Sequence, residues 1–344
     1  MARFVVTRLL SSVALFFAIT LFVFVAFFVL PASTGAARRP GHIAGNAIVR
    51  DTYWVHGSFP HQYSHYVWNF VRHGDLGRSY VNREAVTDRL RRAVPVTASL
   101  VLGGVLVWLL ISIPLGILSA LRPRSLLDRS STVFVTIGLS AHPVWLGLVL
   151  GYLLGYKWHV VPVASYCEMV TPKTPCGGPA QWAWHLLLPW IIFGMVNAAL
   201  FTSMVRASVL EVLSEDYVRT ARAKGAGEAR VVRVHVLRNV LLPLVTMIGM
   251  NFALALGGVI FIETVFNLPG LGQMFRSSLL QRDLPVTAGI VMFMTLAIMV
   301  TNLVVDLLYT ALDPRVRVHS SLSPEISGAA APEAAAARPL ELPA

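Results

Sequence analysis

The chain has 344 residues, 56% of them hydrophobic and only 13% charged, with a mean hydropathy of +0.66. A soluble globule carries about 25% charged residues, so these proportions exclude a water-soluble fold and predict an all-α, polytopic membrane protein. The formal net charge of +11 is spread between apolar runs rather than gathered in one patch, which assigns it to membrane topology and not to nucleic acid.

The first apolar run, residues 9–30, carries no charge and makes about 33 Å of helix, enough to cross a bilayer alone. Arg3 and Arg8 ahead of it resemble the start of a secretory signal. A cleaved signal has an apolar core of only about 7 to 15 residues, so residues 1–30 read as a tail and an uncleaved first span. Residues 31–93 form an extracytoplasmic segment containing HQYSHYVWNFVRHGDLGRSY, expected to fold as a small cap. Within it, residues 86–92 have the pattern of a short amphipathic interfacial helix. Five more spans are expected near residues 94–121, 132–156, 184–205, 240–262 and 284–305, giving six in all and a core domain over residues 94–312.

His142 before Pro143, in the third span, is expected as a satisfied core histidine beside a kink. Cys167 and Cys176, the only two cysteines, lie in the second outer loop as a candidate disulfide. It would restrict the unfolded loop by about 2.7 kcal/mol in the chain-entropy model. The tail, residues 313–344, turns rich in Ala, Pro and Ser from about 319 and is expected to be disordered.

Lys and Arg in the short loops set the orientation. With the N-terminus inside, the inner segments hold Arg3 and Arg8, then Arg122, Arg124 and Arg129, then seven basic residues from Arg206 to Arg238, then Arg315, Arg317 and Arg338. The two shorter outer loops hold only Lys157, Lys173, Arg276 and Arg282. Both termini are therefore expected in the cytoplasm.

The inner loop, residues 206–242, is long and reads RASVLEVLSEDYVRTARAKGAGEARVVRVHVLRNVLL. A helical register runs to about Ala223, breaks at Gly225 and Gly227, and resumes into the next span. Ala221, Gly225 and Ala229 recur at i, i+4 and i+8, a small-residue stripe that admits another surface; the plainer reading is a solvated basic helix pair. The segment resembles the EAA loop of ABC importer permeases, in the form carried by dipeptide, oligopeptide, nickel and glutathione systems: Asp216 to Gly225, then His235, Leu237, Arg238, Asn239 and Pro243, match it. Where the general form has Glu-Ala-Ala, this chain has Arg219, Thr220 and Ala221, and it has Arg238 at the final Pro; both departures belong to the peptide subfamily. GDLGRS at Gly74 to Ser79, ETVFNLPGLGQMF at Glu263 to Phe275, RDLP at Arg282 to Pro285 and NLVVDLLYTALDPRVR at Asn302 to Arg317 are similar to further strings of the B-type permease subunit. The resemblance runs from Gly74 onward; residues 36–65 match nothing in it.

The resemblance implies a type I importer permease fold in the bacterial inner membrane and no enzyme activity in this chain. It implies a heterodimer with a second homologous permease, two ATP-binding subunits that hold ATP and Mg, and an extracytoplasmic solute-binding protein. It also implies contact with the ATPase subunit through Asp216, Tyr217, Arg219, Thr220, Ala221, Ala223, Lys224, Gly225, Ala226, Ala229, His235, Arg238 and Asn239. The expected cargo is di- or oligopeptides, with nickel or glutathione as alternatives in the same family.

A transport path needs polar or small groups among apolar helices, and Asn251, Gly257, Gly258 and Glu263 are the candidates. Close helix packing explains Gly249, Ala253 and Gly257 equally simply. For Glu263 a gate and a helix-end partner both remain open. Asn302, Asp306, Tyr309 and Asp313 share a helical face as anchors, with Asp306 placed to approach basic groups of the inner loop. No HExxH spacing, no GxxxxGK[ST] loop and no nucleophile–base–acid set stands in the sequence, so no metal, nucleotide or catalytic site is expected. A stand-alone ion-coupled transporter would call for ionisable residues in mid-span and internal repeats, neither of which is evident. A non-transporting scaffold would leave the long inner loop without a task.

Overall fold

The computed structural model describes residues 2–29, 58–169 and 176–312, and their regular elements are helices. α1 (Ala2–Phe24) runs on as a π-helical turn, Val25–Val29. α2 is Phe59–His73, α3 Val86–Leu121, α4 Leu126–Ser140, and α5 Pro143–Leu150, which continues in π-helical form over Gly151–Lys157. α6 (Pro179–Ser214), α7 (Asp216–Ala223), α8 (Leu237–Val265), α9 (Leu271–Gln281) and α10 (Leu284–Leu312) follow. Most of the expected cap before α2, the side chain of Tyr309, Asp313 and the tail lie outside the described residues. Five helices are long and apolar enough to cross a membrane, and α4 with α5 makes a sixth if the pair is one span.

Two elements differ from expectation. Residues 86–92 are the first turns of the 36-residue α3 rather than a separate interfacial helix. Val86 and Leu90 are buried with Leu76, Val286 and Ala288, so their amphipathic spacing reflects packing against α10. The third span is not straight either: α4 and α5 meet at 103°. Pro143 supplies no N–H and pushes the preceding residue out of the helical region, and His142 is extended at φ −73, ψ 136. His142 is exposed rather than a core residue; its Nδ1 accepts from Val144 N at 3.3 Å and caps α5.

α3 and α6, each 36 residues long, are the frame. Their close approach rests on missing side chains: a Cβ at Gly104 would lie 2.3 Å from Phe193 Cδ1, and one at Gly194 would lie 2.5 Å from Val107 Cγ1. Small residues serve this purpose in membranes because lipid gives helices no hydrophobic reason to associate, so contact must come from packing. Trp190 Nε1 donates to Ser99 O at 2.9 Å across the same pair. Where α6 leads into the loop of residues 206–242, Arg206 of α6 clamps Asp128 of α4, Nε to Oδ1 at 2.8 Å and a terminal nitrogen to Oδ2 at 3.2 Å. Asp306 meets Arg8 of α1 at 3.4 Å, which replaces the expected approach to the inner loop: α1 packs along α10 and brings its own cation to that level.

Candidate functional site

The inner loop folds as a helical hairpin fixed beneath the bundle. Val218 of α7 and Val231, Val236 and Val240 on the return limb are buried together with Phe201, Val205 and Val209 of α6. Ala221 and Ala226 pack against the same cluster. Between them α7 ends in a Schellman turn: Ala226 N donates to Ala221 O at 3.2 Å, Gly225 N to Arg222 O at 2.9 Å, and Gly225 has φ +82. A left-handed residue at this position is the usual reason for glycine after a helix.

The hairpin therefore has two faces. Arg219, Thr220, Ala223, Lys224, Gly225, Ala229 and Arg238 are exposed, as are Asp216 and Tyr217. Tyr217 OH accepts from Asn239 Nδ2 at 2.9 Å, and the same amide donates to His235 O at 2.8 Å, so the two limbs are tied at their base. The expected stripe does not form one helical face, because the chain turns at Gly225: Ala221 faces the core while Gly225 and Ala229 face outward. A Cβ at Gly225 would meet nothing within 4 Å of it in this chain.

A cavity of about 380 Å³ opens at the α4–α5 bend and includes His142, Asn197, Asn251, Leu254, Gly258 and Ile262 in its walls. Its lining contains no Asp, Glu, Lys or Arg. Asn197 and Asn251 each donate to their own helix, to Phe193 O at 2.8 Å and to Met247 O at 2.9 Å, and Asn251 Nδ2 also reaches Met204 Sδ at 3.6 Å; with Ser140 and His142 these amides supply the polar side chains of the lining. The small residues of α8 divide by role. Gly249 packs on α10, where a Cβ would lie 2.7 Å from Val305 Cγ1, whereas Gly257 and Gly258 have nothing within 4 Å. Gly258 lines the cavity and Gly257 does not.

Glu263 is not in the cavity. It is 0% exposed, and its carboxylate accepts from Thr97 Oγ1 at 2.6 Å, Gly272 N at 2.7 Å and Gln273 N at 3.1 Å. Thr97 Oγ1 in turn accepts from Leu271 N at 2.8 Å. The first amides of α9 are thus satisfied by a side chain from α8 and one from α3, as helix N-termini require. Glu263 is thus a helix-end partner of α9, and the absence of a side chain at Gly270 admits it: a Cβ there would lie 2.2 Å from Oε1.

Two strings that are distant in sequence, GDLGRS and RDLP, meet at Asp283, which is also 0% exposed. Its carboxylate accepts from Ser79 Oγ, from Tyr80 N at 3.0 Å and from Arg89 at 3.4 Å. Burial first, and the Asp283 charge second, push the Tyr80 phenol above its ordinary range. Between α5 and α6 Cys167 and Cys176 are bonded, with Cα atoms 5.4 Å apart, and His185 Nδ1 stands 3.3 Å from Cys167 Sγ. The Arg206–Asp128 clamp and the Thr97 bridge escaped sequence reasoning, since nothing local marks which of many polar residues will pair across helices. Among the described residues no group of three or more His, Cys, Asp or Glu is placed to hold a metal ion.

Comparison with known proteins covers most of the chain. The family model "Binding-protein-dependent transport system inner membrane component" matches residues 112–318, and the model of that component's N-terminal part matches residues 1–101. The second reaches residues 36–65, which the motifs alone left unmatched. The chain is 37% identical over 273 residues to the dipeptide transport system permease protein DppB of Escherichia coli (strain K12), covering 74% of this chain and 80% of that one. It is 34% identical over 319 residues to the glutathione transport system permease protein GsiC of Escherichia coli O6:H1, covering 92% and 99%. Among solved structures, a chain of the inward-facing MetNI methionine ABC transporter superimposes with a TM-score of 0.53 at 18% identity, over 65% of this chain and 96% of that one; that likeness concerns the fold.

Proposed function

The chain belongs to the binding-protein-dependent transport system inner membrane components, and on that premise we propose that it is a membrane-spanning subunit of an ATP-driven importer of short peptides. The relatives at 37% and 34% identity carry dipeptide and glutathione in their names, and glutathione is itself a tripeptide, so one cargo class covers both. The observation that carries the mechanism is the two-faced hairpin. Its inner face is packed on α6 through Val218, Val231 and Val236, and its outer face presents Arg219, Lys224, Gly225 and Ala229.

An ATP-binding subunit docked on that outer face would push the hairpin as one body, and α6 and α8 would move with it because they share its core. Two ATP-binding subunits, a second permease forming a heterodimer, and an extracytoplasmic binding protein complete the assembly in this reading. The second permease closes the open side of the cavity beside α8, and both termini lie in the cytoplasm. Asn251 and Gly258, with Asn197, line this chain's part of the path. An uncharged wall with amide groups suits a cargo recognised by its peptide backbone whatever its side chains carry.

The test is ATP hydrolysis and uptake by the assembled complex in a lipid bilayer, with di- and tripeptides, glutathione and nickel offered separately with the matching binding protein. Stimulation by peptides supports the reading. Stimulation by nickel alone overturns the cargo, and transport by this chain in the absence of any ATPase overturns the class.

A further inference from the structure

α4 is held on α6 near both of its ends. At its start Ser125 Oγ accepts from Asp128 N at 3.2 Å and caps the helix, and Arg124, at φ +64, turns its own N–H onto Asp128 Oδ2 at 2.9 Å. The Asp128 carboxylate, 8% exposed, is thus already oriented where Arg206 of α6 meets both of its oxygens. Ten residues on, about 15 Å along the helix, a Cβ at Gly138 would lie 2.4 Å from Cβ of Ala199, so the two helices touch there as well, running antiparallel. Between these points Phe134 packs against the cluster that Val205 and Val209 of α6 share with the hairpin. The other side of α4 has no such hold: Leu126, Val133 and Ile137 are 83%, 56% and 60% exposed.

The attachments differ in kind. Apolar contact is non-directional, so the Gly138–Ala199 approach and the Phe134 contact constrain how near the helices lie more than their register. A guanidinium fork on a carboxylate fixes distance and orientation together, and either partner left alone at this mostly buried place would hold an uncompensated charge. The clamp therefore sets the register of α4 on α6. What α4 carries lies at its far end: Gly138, Ser140 and His142 stand in the cavity wall, where the chain turns by 103° into α5. Arg206 in turn sits on the helix that shares its core with the hairpin. One ion pair joins the hairpin's helix to the helix that walls the cavity.

We propose that Arg206 and Asp128 are positioning residues of the transport cycle: they lock α4 to α6 as one strut, through which a displacement of the hairpin reaches the cavity wall at Gly138 to His142. The proposal rests on the reading that an ATP-binding subunit pushes the hairpin.

The experiment measures uptake of a labelled dipeptide per ATP hydrolysed by the complete transporter in phospholipid bilayers, with its binding protein. Asp128→Asn and Arg206→Gln should keep ATP hydrolysis and the bound ATP-binding subunits while uptake per ATP falls about tenfold, within the range usual for coupling between separate sites. A second pair, Asp128→Cys with Arg206→Cys and the native disulfide left in place, should behave the same way until a short bis-maleimide joins the two thiols. The covalent link replaces the clamp without charge and should restore uptake per ATP, which a merely misfolded chain would not show. Parental uptake per ATP in the unlinked variants overturns the proposal. So does a linked complex that hydrolyses ATP without transport, because the helices then have to slide past each other. Gly225→Asp separates this proposal from the reading beneath it: if that variant uncouples and the clamp variants do not, the strut falls and the hairpin stands, and if neither uncouples, both fall.

Discussion

Glu263 and Asp283 are carboxyl groups with no exposed surface, and each is surrounded by hydrogen-bond donors. An unpaired buried charge costs several kcal/mol; here hydroxyl and backbone N–H groups, with Arg89 for Asp283, take that role. Glu263 holds the first amides of α9 and Asp283 follows its last turn, so the two carboxyl groups fix its orientation. Glu263→Gln keeps the shape but turns one acceptor oxygen into a donor facing amides that also donate. It should therefore destabilise the chain by about 1–3 kcal/mol, read as a lower midpoint in thermal unfolding of the purified protein. Asn251→Ala, in the cavity wall, should leave that midpoint nearly unchanged while altering peptide uptake. Equal thermal stability of Glu263→Gln and the parent protein contradicts the capping role. The alternative roles for Glu263 were both legible from a carboxylate at a span boundary. The helix-end contacts themselves needed the positions of Thr97 and Gly272, 166 and nine residues away in sequence.

At the scale of elements, the inner hairpin and the outer loop make separable predictions. Gly225→Asp meets no atom of this chain and strains the backbone by about 1–2 kcal/mol, because L-residues disfavour positive φ. With Ala229→Glu, it should leave the spans inserted while abolishing peptide uptake and weakening recovery of the ATP-binding subunits on purification. Ala221→Glu should act differently, since Ala221 packs on the hairpin's own core: the loop becomes protease-sensitive in the isolated chain. Normal coupling in both outward variants would detach the hairpin from the mechanism. In the outer loop, Cys167 and Cys176 should be recovered as a linked peptide by mass spectrometry after alkylation without reductant. Two alkylated thiols count against the bond. The break at Gly225 was readable because glycine after a helix has one common reason. The loss of the i, i+8 stripe was not, because a spacing argument presumes the helix continues and Ala226 hydrogen-bonds back to Ala221 instead.

At the scale of the whole molecule, membrane topology follows from charge and apolar length together. Single cysteines at Ser58 and Ser214, with the native pair bonded and silent, should react with impermeant maleimide from opposite sides of the membrane; reaction of both from outside intact cells reverses the topology. The apolar runs and the family-specific loop were determined by the sequence alone. Uncharged runs of span length have one solvent that suits them, and a motif of contiguous residues carries its own register. What only the tertiary structure decided is where separate runs meet: the 103° break between α4 and α5, the union of residues 86–92 with α3, and the pairing of Asp306 with Arg8 instead of the inner loop. Each depends on contacts between residues far apart in the chain. Periodicity records which face of a helix is apolar, but not whether lipid, another helix or a distant carboxylate lies against it.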